Sequence, residues 1–356
     1  MLRPVHLDPA LIGQPLPCNV YTGSGVLVAG AGLVLADQAH FDKLTAHPLF
    51  RDGEFAAPAD SPLQRLAELA KQAERVLKSS EPSDIRVLAN ELLAVYRADA
   101  DACLGYSGLA PPARVSVNHA VRVMFVAQML AESLELSEVE QESLAAAALT
   151  MNLAVLDLHD RLHATAGVLR EADRTALRGH PEASARLLQA AGVSDPVWLE
   201  AVRQHHENMD GSGYPAGLPG TAISLPARLL RVADFYCAKL SGRNYRPPKS
   251  PSFAFQELFG RERSRLDSLA ATLLLRRMGI YPPGTLVRLA NRETACIARR
   301  AQRGARRWAV SVLDPRGRAL VPPELRELGT RNGAIVGTAE REPDWPPINW
   351  MAVWGY

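Results

Sequence analysis

From residue 62 to residue 278 apolar positions recur every three or four residues, the spacing of helices that bury one face, whereas on either side the apolar runs shorten and glycines multiply. Between Val20 and Leu35 short apolar runs alternate with Gly23, Gly25, Gly30 and Gly32, which predicts brief strands joined by tight turns. Residues 51–61, RDGEFAAPADS, then form a polar link carrying glycine and proline. After Gly279 the segments YPPGTLVRL, ETACIARR and WAVSVLD read as strands separated by turns rich in glycine, asparagine and arginine. The expected organisation is mainly α: a helical unit over residues 61–278, with a small β-containing unit over 1–60 and a small β unit over 279–356 flanking it. No internal repeat or low-complexity segment interrupts this order.

Two helix starts are marked by their caps. Ser137 with Glu140 makes a capping-box pattern, and Asp195 before Pro196 places a cap residue ahead of a first-turn proline. Charge adds little to this picture, because 40 Lys and Arg nearly cancel 38 Asp and Glu, leaving no global field for nucleic acid or an anionic membrane. The cysteines Cys18, Cys103, Cys237 and Cys296 have no paired spacing and read as buried thiols of a reducing compartment. The opening MLRPVHLDPALIGQP lacks the basic-then-apolar order of a signal peptide. The most apolar stretch, Leu144 to Leu158, is broken by Thr150, Asn152 and Asp157 and falls short of the roughly 20 residues a bilayer span needs. The expectation is a soluble, cytoplasmic protein.

The strongest chemical signal is His205-His206-Glu207, followed by DGSGYP from Asp210 to Pro215. His205 shares a helix face with Val197 and Ala201, so its imidazole is expected to point inward, and buried imidazole is a favoured ligand for a borderline metal ion. Gly211 and Gly213 permit a sharp turn after it. The plainer alternative is two core histidines before an ordinary glycine-rich loop.

Together these residues resemble the HD-GYP family, whose signature couples an HHE…DGSGYP segment to an upstream His-Asp pair on a helical bundle. The resemblance runs from about His119 to Arg246 and implies a bacterial cyclic di-GMP phosphodiesterase fold with a centre of two or three metals. It assigns metal-ligand roles to His119 in SVNHAVRV, His180 of a His-Pro pair, His205, His206 and Asp234 in RVADFY. It assigns a substrate or partner loop to Asp210, Gly211, Gly213, Tyr214 and Pro215, joined by Arg243, Tyr245 and Arg246 of the RNYR segment. Apolar Ala227, Leu230 and Cys237 fall on the same helix face as Asp234, which makes that carboxylate an inward one.

The sequence departs from the family where the His-Asp-x-Gly-Lys motif is expected. Met151-Asn152-Leu153-Ala154-Val155 stands there, 32 positions after His119 and 29 before His180. Met151 and Asn152 thus replace the histidine and the bridging aspartate, and Val155 replaces the lysine near the scissile phosphate. Val115 and Cys237 stand where acidic residues are common. The dipeptide His159-Asp160 lies eight residues downstream, about 12 Å along a helix, and is read as solvated loop together with His163. Asp157 is a poor substitute bridge, five residues on and about 140 degrees round a helix from Asn152. A carboxylate offers two anionic oxygens, whereas Asn152 offers one neutral carbonyl.

The expected function is therefore a catalytically impaired cyclic di-GMP signalling module that binds the nucleotide or a protein such as a diguanylate cyclase domain. The alternative is an active phosphodiesterase with an atypical mononuclear site. The expected cofactor is one divalent ion (iron, manganese or zinc) at His180, His205 and His206, or none. Nucleic acid and membrane are not expected partners. The basic run Arg299, Arg300, Arg303, Arg306 and Arg307 is read as a solvated hairpin, its RxxxR spacing only loosely similar to a PilZ-type site.

Overall fold

The computed structural model describes residues 3–22, 26–46, 49–51, 61–110, 114–165, 169–242, 249–301 and 307–356. In chain order, β1 (Arg3–Val5), β2 (Val20–Tyr21), β3 (Leu27–Ala29), α1 (Gln38–Thr45) and β4 (Leu49–Arg51) come first. The helices α2 (Pro62–Ser79), α3 (Pro82–Ala98), α4 (Ala100–Leu109), α5 (Val115–Ser133), α6 (Glu138–Thr150), α7 (Leu156–Ala164) and α8 (Glu171–Ala190) follow. Then come α9 (Pro196–Gln204), α10 (Leu225–Leu240), α11 (Pro251–Phe259) and α12 (Ser268–Met278), and after them β5 (Leu286–Leu289), β6 (Thr294–Cys296), β7 (Trp308–Leu313), β8 (Ala319–Glu327) and β9 (Ile335–Thr338).

The chain divides into two compact units, one of residues 66–96 with 111–280 and the other of residues 1–65, 97–110 and 281–356. The helical part thus matches the expected mainly α core. The two β-bearing ends, expected as separate units, share one unit and draw α4 into it. Four strands lie beyond those read from the pattern: β1 and β4, outside the Val20–Leu35 stretch, and β8 and β9. Pro322 and Pro323 disguise β8, which tolerates them because it is an edge strand.

The β-bearing unit holds two antiparallel sheets, with strand orders β1-β4-β2-β3 and β8-β7-β6-β5-β9. Leu7, Leu16, Val20, Leu35 and Phe41 form one small core, and Val287, Leu289, Ala295, Ile297 and Ala309 form another. Asp99 caps α4 by accepting from the Ala102 amide at 3.0 Å. The same buried carboxylate receives Arg299, the Tyr356 hydroxyl at 3.0 Å and His6 at 3.3 Å. Arg300 pairs in turn with Asp101. Arg299 and Arg300 are therefore structural cations rather than members of a solvated hairpin. Arg307 is exposed, and Arg303 and Arg306 lie outside the described residues. At Gly105 a Cβ would fall 2.2 Å from the Trp354 ring, so only glycine lets that buried indole pack, with its N–H donated to the Ala298 carbonyl at 2.8 Å.

In the helical unit α5 is the central rod, buried without interruption from Val123 to Ala131. The Ser137–Glu140 capping box starts α6 as the sequence predicts. Asp195 caps α9 through the amides of Val197 and Trp198, and its other oxygen accepts from Arg86 at 2.8 Å and Ser143 at 2.6 Å. The cap thereby ties α9 to α3 and α6. Trp198 is fully buried and donates its indole N–H to Thr150 Oγ1 at 2.8 Å. No helix among the described residues is long and apolar enough to cross a membrane. All four cysteines are free thiols; three are buried, as expected, and Cys18 is half-buried.

Candidate metal centre

Three imidazoles converge where α8 meets the end of α9. His180 comes from the middle of α8, His205 is the residue that closes α9, and His206 follows it. Their ring centroids are 4.3 to 5.0 Å apart, and one ligand nitrogen from each lies within 4.8 Å of the other two. The backbone fixes two of the rings. Pro181 has no N–H to give the Leu177 carbonyl, its helical acceptor four residues back, and His180 Nδ1 donates to that carbonyl instead at 2.7 Å. His205 Nδ1 donates to the Val202 carbonyl at 2.7 Å, one of the acceptors left over at a helix end.

Because each Nδ1 carries the proton, each Nε2 carries a lone pair, and these two nitrogens face each other at 3.0 Å. Two lone pairs at that distance repel unless a proton or a cation is shared between them. Burial is the chief force lowering the basicity of all three rings: His205 is brought down to about 3, with His180 adding to the effect, and His206 falls well below its ordinary value. His180 is shifted the same way. Three neutral imidazoles, two buried and one half-buried, whose ligand nitrogens converge fit a divalent metal of the borderline class, which takes its nitrogen ligands deprotonated.

Asp234, on the inward face of α10, accepts from His119 Nε2 at 2.8 Å. Burial pushes its acidity down, but His119 and the neighbouring imidazoles overcome that, so the carboxylate stays ionised far below its usual range. The five residues read as ligands are thus gathered as a three-histidine cluster and an adjoining His119–Asp234 pair. Cys237, one turn along, is a buried thiol pushed up to about 12. It offers no thiolate.

The loop after His206 is organised by Glu207. Its buried carboxylate accepts from the amides of Ala216 at 2.7 Å, Gly217 at 3.1 Å and Leu218 at 3.0 Å. Asp210 closes a turn by accepting from the Ser212 amide and hydroxyl, Gly211 takes a φ of +77°, and Asp210 also receives Ser264. At Gly213 a Cβ would lie 2.3 Å from the Asn208 nitrogen, so the chain passes there only without a side chain. The Tyr214–Pro215 bond is cis, and the Tyr214 ring stacks on His206 at 4.8 Å. Arg243, Tyr245 and Arg246 lie outside the described residues.

The Met151–Asn152 slot opens the short turn that packs on α8, the helix that carries His180. Met151 closes α6 and is fully buried, and Asn152 is 5% exposed with no side-chain hydrogen bond among the described residues. The next turn is anchored to α8 by the Ala154 amide, which donates to Ser184 Oγ at 3.1 Å, one helical turn beyond His180. Val155 is buried and carries no charge to the site. Asp160 accepts from the Ser116 amide at 2.8 Å and from Arg114, so its carboxylate caps α5, and Asp157 also pairs with Arg114. Neither carboxylate is free to serve as a bridge. His159 and His163, read as solvated loop, are half-buried in α7 instead, and the His159 ring stands edge-on to His180 at 6.4 Å. Spacing gave no sign of that approach, because it depends on how α7 folds back after residue 155.

Residues 109–269 match the HD domain family. The chain is 27% identical over 270 residues to a cyclic di-GMP phosphodiesterase of Pseudomonas aeruginosa, covering 75% of this chain and 65% of that protein. It is 33% identical over 156 residues to the cyclic di-GMP phosphodiesterase response regulator RpfG of Xanthomonas campestris, 44% of this chain and 41% of the other. It is 31% identical over 168 residues to a 3'3'-cGAMP-specific phosphodiesterase of Vibrio cholerae, 46% of this chain and 38% of the other. The chain therefore spans less than two thirds of the length of these curated relatives. Among solved structures, an HDG"Y"P protein from Bdellovibrio bacteriovorus superposes with a TM-score of 0.52 at 15% identity, over 77% of this chain and 98% of that one, which is a likeness of fold.

Proposed function

Residues 109–269 are an HD domain of the HD-GYP type, and on that premise we propose that the chain acts in cyclic dinucleotide signalling, binding cyclic di-GMP or a close relative while hydrolysing it poorly. One observation carries the reading: the three-histidine cluster is complete, while the buried Met151–Asn152 pair supplies no anionic ligand. His180, His205 and His206 would hold a single divalent ion, iron, manganese or zinc, which supplies Lewis acidity toward a phosphoryl oxygen. One ion cannot clamp both the attacking and the leaving oxygen of an in-line displacement. His119 and Asp234 hold a proton between them beside the cluster, and Met151, a soft thioether, does not extend the site to a second hard cation. Glu207 keeps the Tyr214 loop against His206, so the binding surface is retained where the bridging chemistry is lost.

The test measures metal per chain, cyclic di-GMP binding by calorimetry, and cyclic di-GMP hydrolysis, for the native chain and for the Met151→His, Asn152→Asp double variant. The native chain is expected to hold at most one ion and to bind without appreciable turnover, and the double variant to gain metal and hydrolysis. Native turnover near the roughly 10 per second typical of enzymes refutes the impaired reading. Absence of binding heat refutes the nucleotide reading and leaves a protein partner, such as a diguanylate cyclase domain, as the target.

A further inference from the structure

Most arginines in the interior of the helical unit are neutralised by a carboxylate: Arg86 by Asp195, Arg114 by Asp157 and Asp160, and Arg228 by Asp267. Arg178 and Arg231 differ. Arg231, half-buried on α10, donates Nε to Asn208 Oδ1 at 3.1 Å and has no ion pair among the described residues, so both terminal nitrogens of its fork are unused. Arg178, two residues before His180, is exposed and neither hydrogen-bonded nor ion-paired among the described residues; its guanidinium stands over the Tyr214 ring, 5.9 Å from the centroid.

Tyr214 in turn stacks on His206, and Asn208 lies two residues past His206, so the two guanidinium groups reach the histidine cluster by separate routes. The carboxylate at the centre is already committed to His119. A half-buried guanidinium without an anion leaves two donor nitrogens without a partner among the described residues, and such a fork matches a phosphate oxygen pair.

The geometry points to Arg178 and Arg231 as a two-armed anion clamp at the mouth of the three-histidine centre, gripping a phosphodiester group of the bound nucleotide. The choice of cyclic dinucleotide as the ligand rests on the function proposed above, whereas the clamp itself requires only a phosphate anion. The two arms come from α8 and α10, elements set by unrelated parts of the sequence. Arg231 supplies a bidentate fork held in place by Asn208, and Arg178 supplies a mobile charge resting on an aromatic face.

Calorimetric titration of the full-length chain with cyclic di-GMP, and separately with inorganic phosphate, tests the clamp in Arg178→Gln, Arg231→Gln and the double variant, with metal content measured alongside. Each single change is expected to weaken binding of both probes about tenfold, and the double change more, with metal per chain unaltered because neither side chain is a ligand. Arg231→Lys is expected to recover only part of the loss, since an ammonium cannot form the fork. Unchanged affinity for both probes in the double variant overturns the clamp even when the native chain binds cyclic di-GMP. Should the native chain bind no cyclic di-GMP, phosphate alone decides: loss of its binding in the variants supports the clamp, and its absence from or persistence in all forms overturns it. Arg178→Gln guards against a folding artefact, because that side chain makes no hydrogen bond in the protein among the described residues.

Discussion

Replacing Glu207 by Gln keeps the shape of the side chain and removes only its charge and one acceptor. Oε1 accepts from the amides of Ala216 and Gly217, and Oε2 from Leu218. The glutamine satisfies most by turning its carbonyl toward Ala216 and Gly217, which sets its NH2 against the Leu218 amide, donor to donor. One charge-assisted bond worth roughly 1.5 to 3 kcal/mol is lost, and the other two fall toward the 0.5 to 1.5 kcal/mol of neutral pairs. At the lower end of these ranges the sum is about 3.5 kcal/mol, or about 400-fold in the opening equilibrium of the loop. Hydrogen exchange at the amides of residues 216 to 218 is the assay: exchange is expected to accelerate by that order in Glu207→Gln. Glu207→Ala, which strands all three donors, is expected to go further and to lower the urea midpoint of the helical unit. If all three amides exchange at native rates in Glu207→Gln, the carboxylate does not hold the loop.

Burial opposes the charge on Asp99, yet Arg299, with His6, holds its acidity at about 2, below the ordinary carboxylate value, so its stabilisation is present above pH ~4 and fades as pH falls toward 2; the shift is worth about 2 kcal/mol. Asp99→Asn retains the helix cap but is expected to lose about that much at pH 7 and to flatten the acid limb of a stability–pH curve, and an unaltered acid midpoint would contradict it. Pro181→Ala returns an N–H that competes with His180 for the Leu177 carbonyl, so metal affinity by competitive chelation is expected to fall by up to about tenfold while the helix content is kept; unchanged affinity denies the proline its orienting role.

The helical core was legible because its apolar spacing and its caps at Ser137 and Asp195 are local properties, and local properties survive folding. The inward aim of His205 and Asp234 was legible for the same reason, since each shares a helix face with apolar neighbours. The partnership of the two β-bearing ends was not, because no short-range pattern records that His6, Asp99, Arg299 and Tyr356 meet. Strand β8 hid behind Pro322 and Pro323, and the approach of His159 to His180 depends on a tertiary bend. The duty of Pro181 leaves a signal that could have been read: a proline one residue after a helix-borne histidine frees the carbonyl that the histidine can reach.

The Asp99 hub also bears on the order in which the chain can acquire its structure. His6 and Arg299 meet at one carboxylate although about 290 residues separate them, so during synthesis at 5 to 20 residues per second the first sheet waits roughly 15 to 60 s for its last polar partners to emerge. The helical unit is under no such delay, because all its residues precede 281 and it can close while the strands β5 to β9 are still being made. The early-made segment, whose buried Phe50 packs against Trp308 of β7, is thus the part of the nascent protein with most need of protection until the late strands have been made.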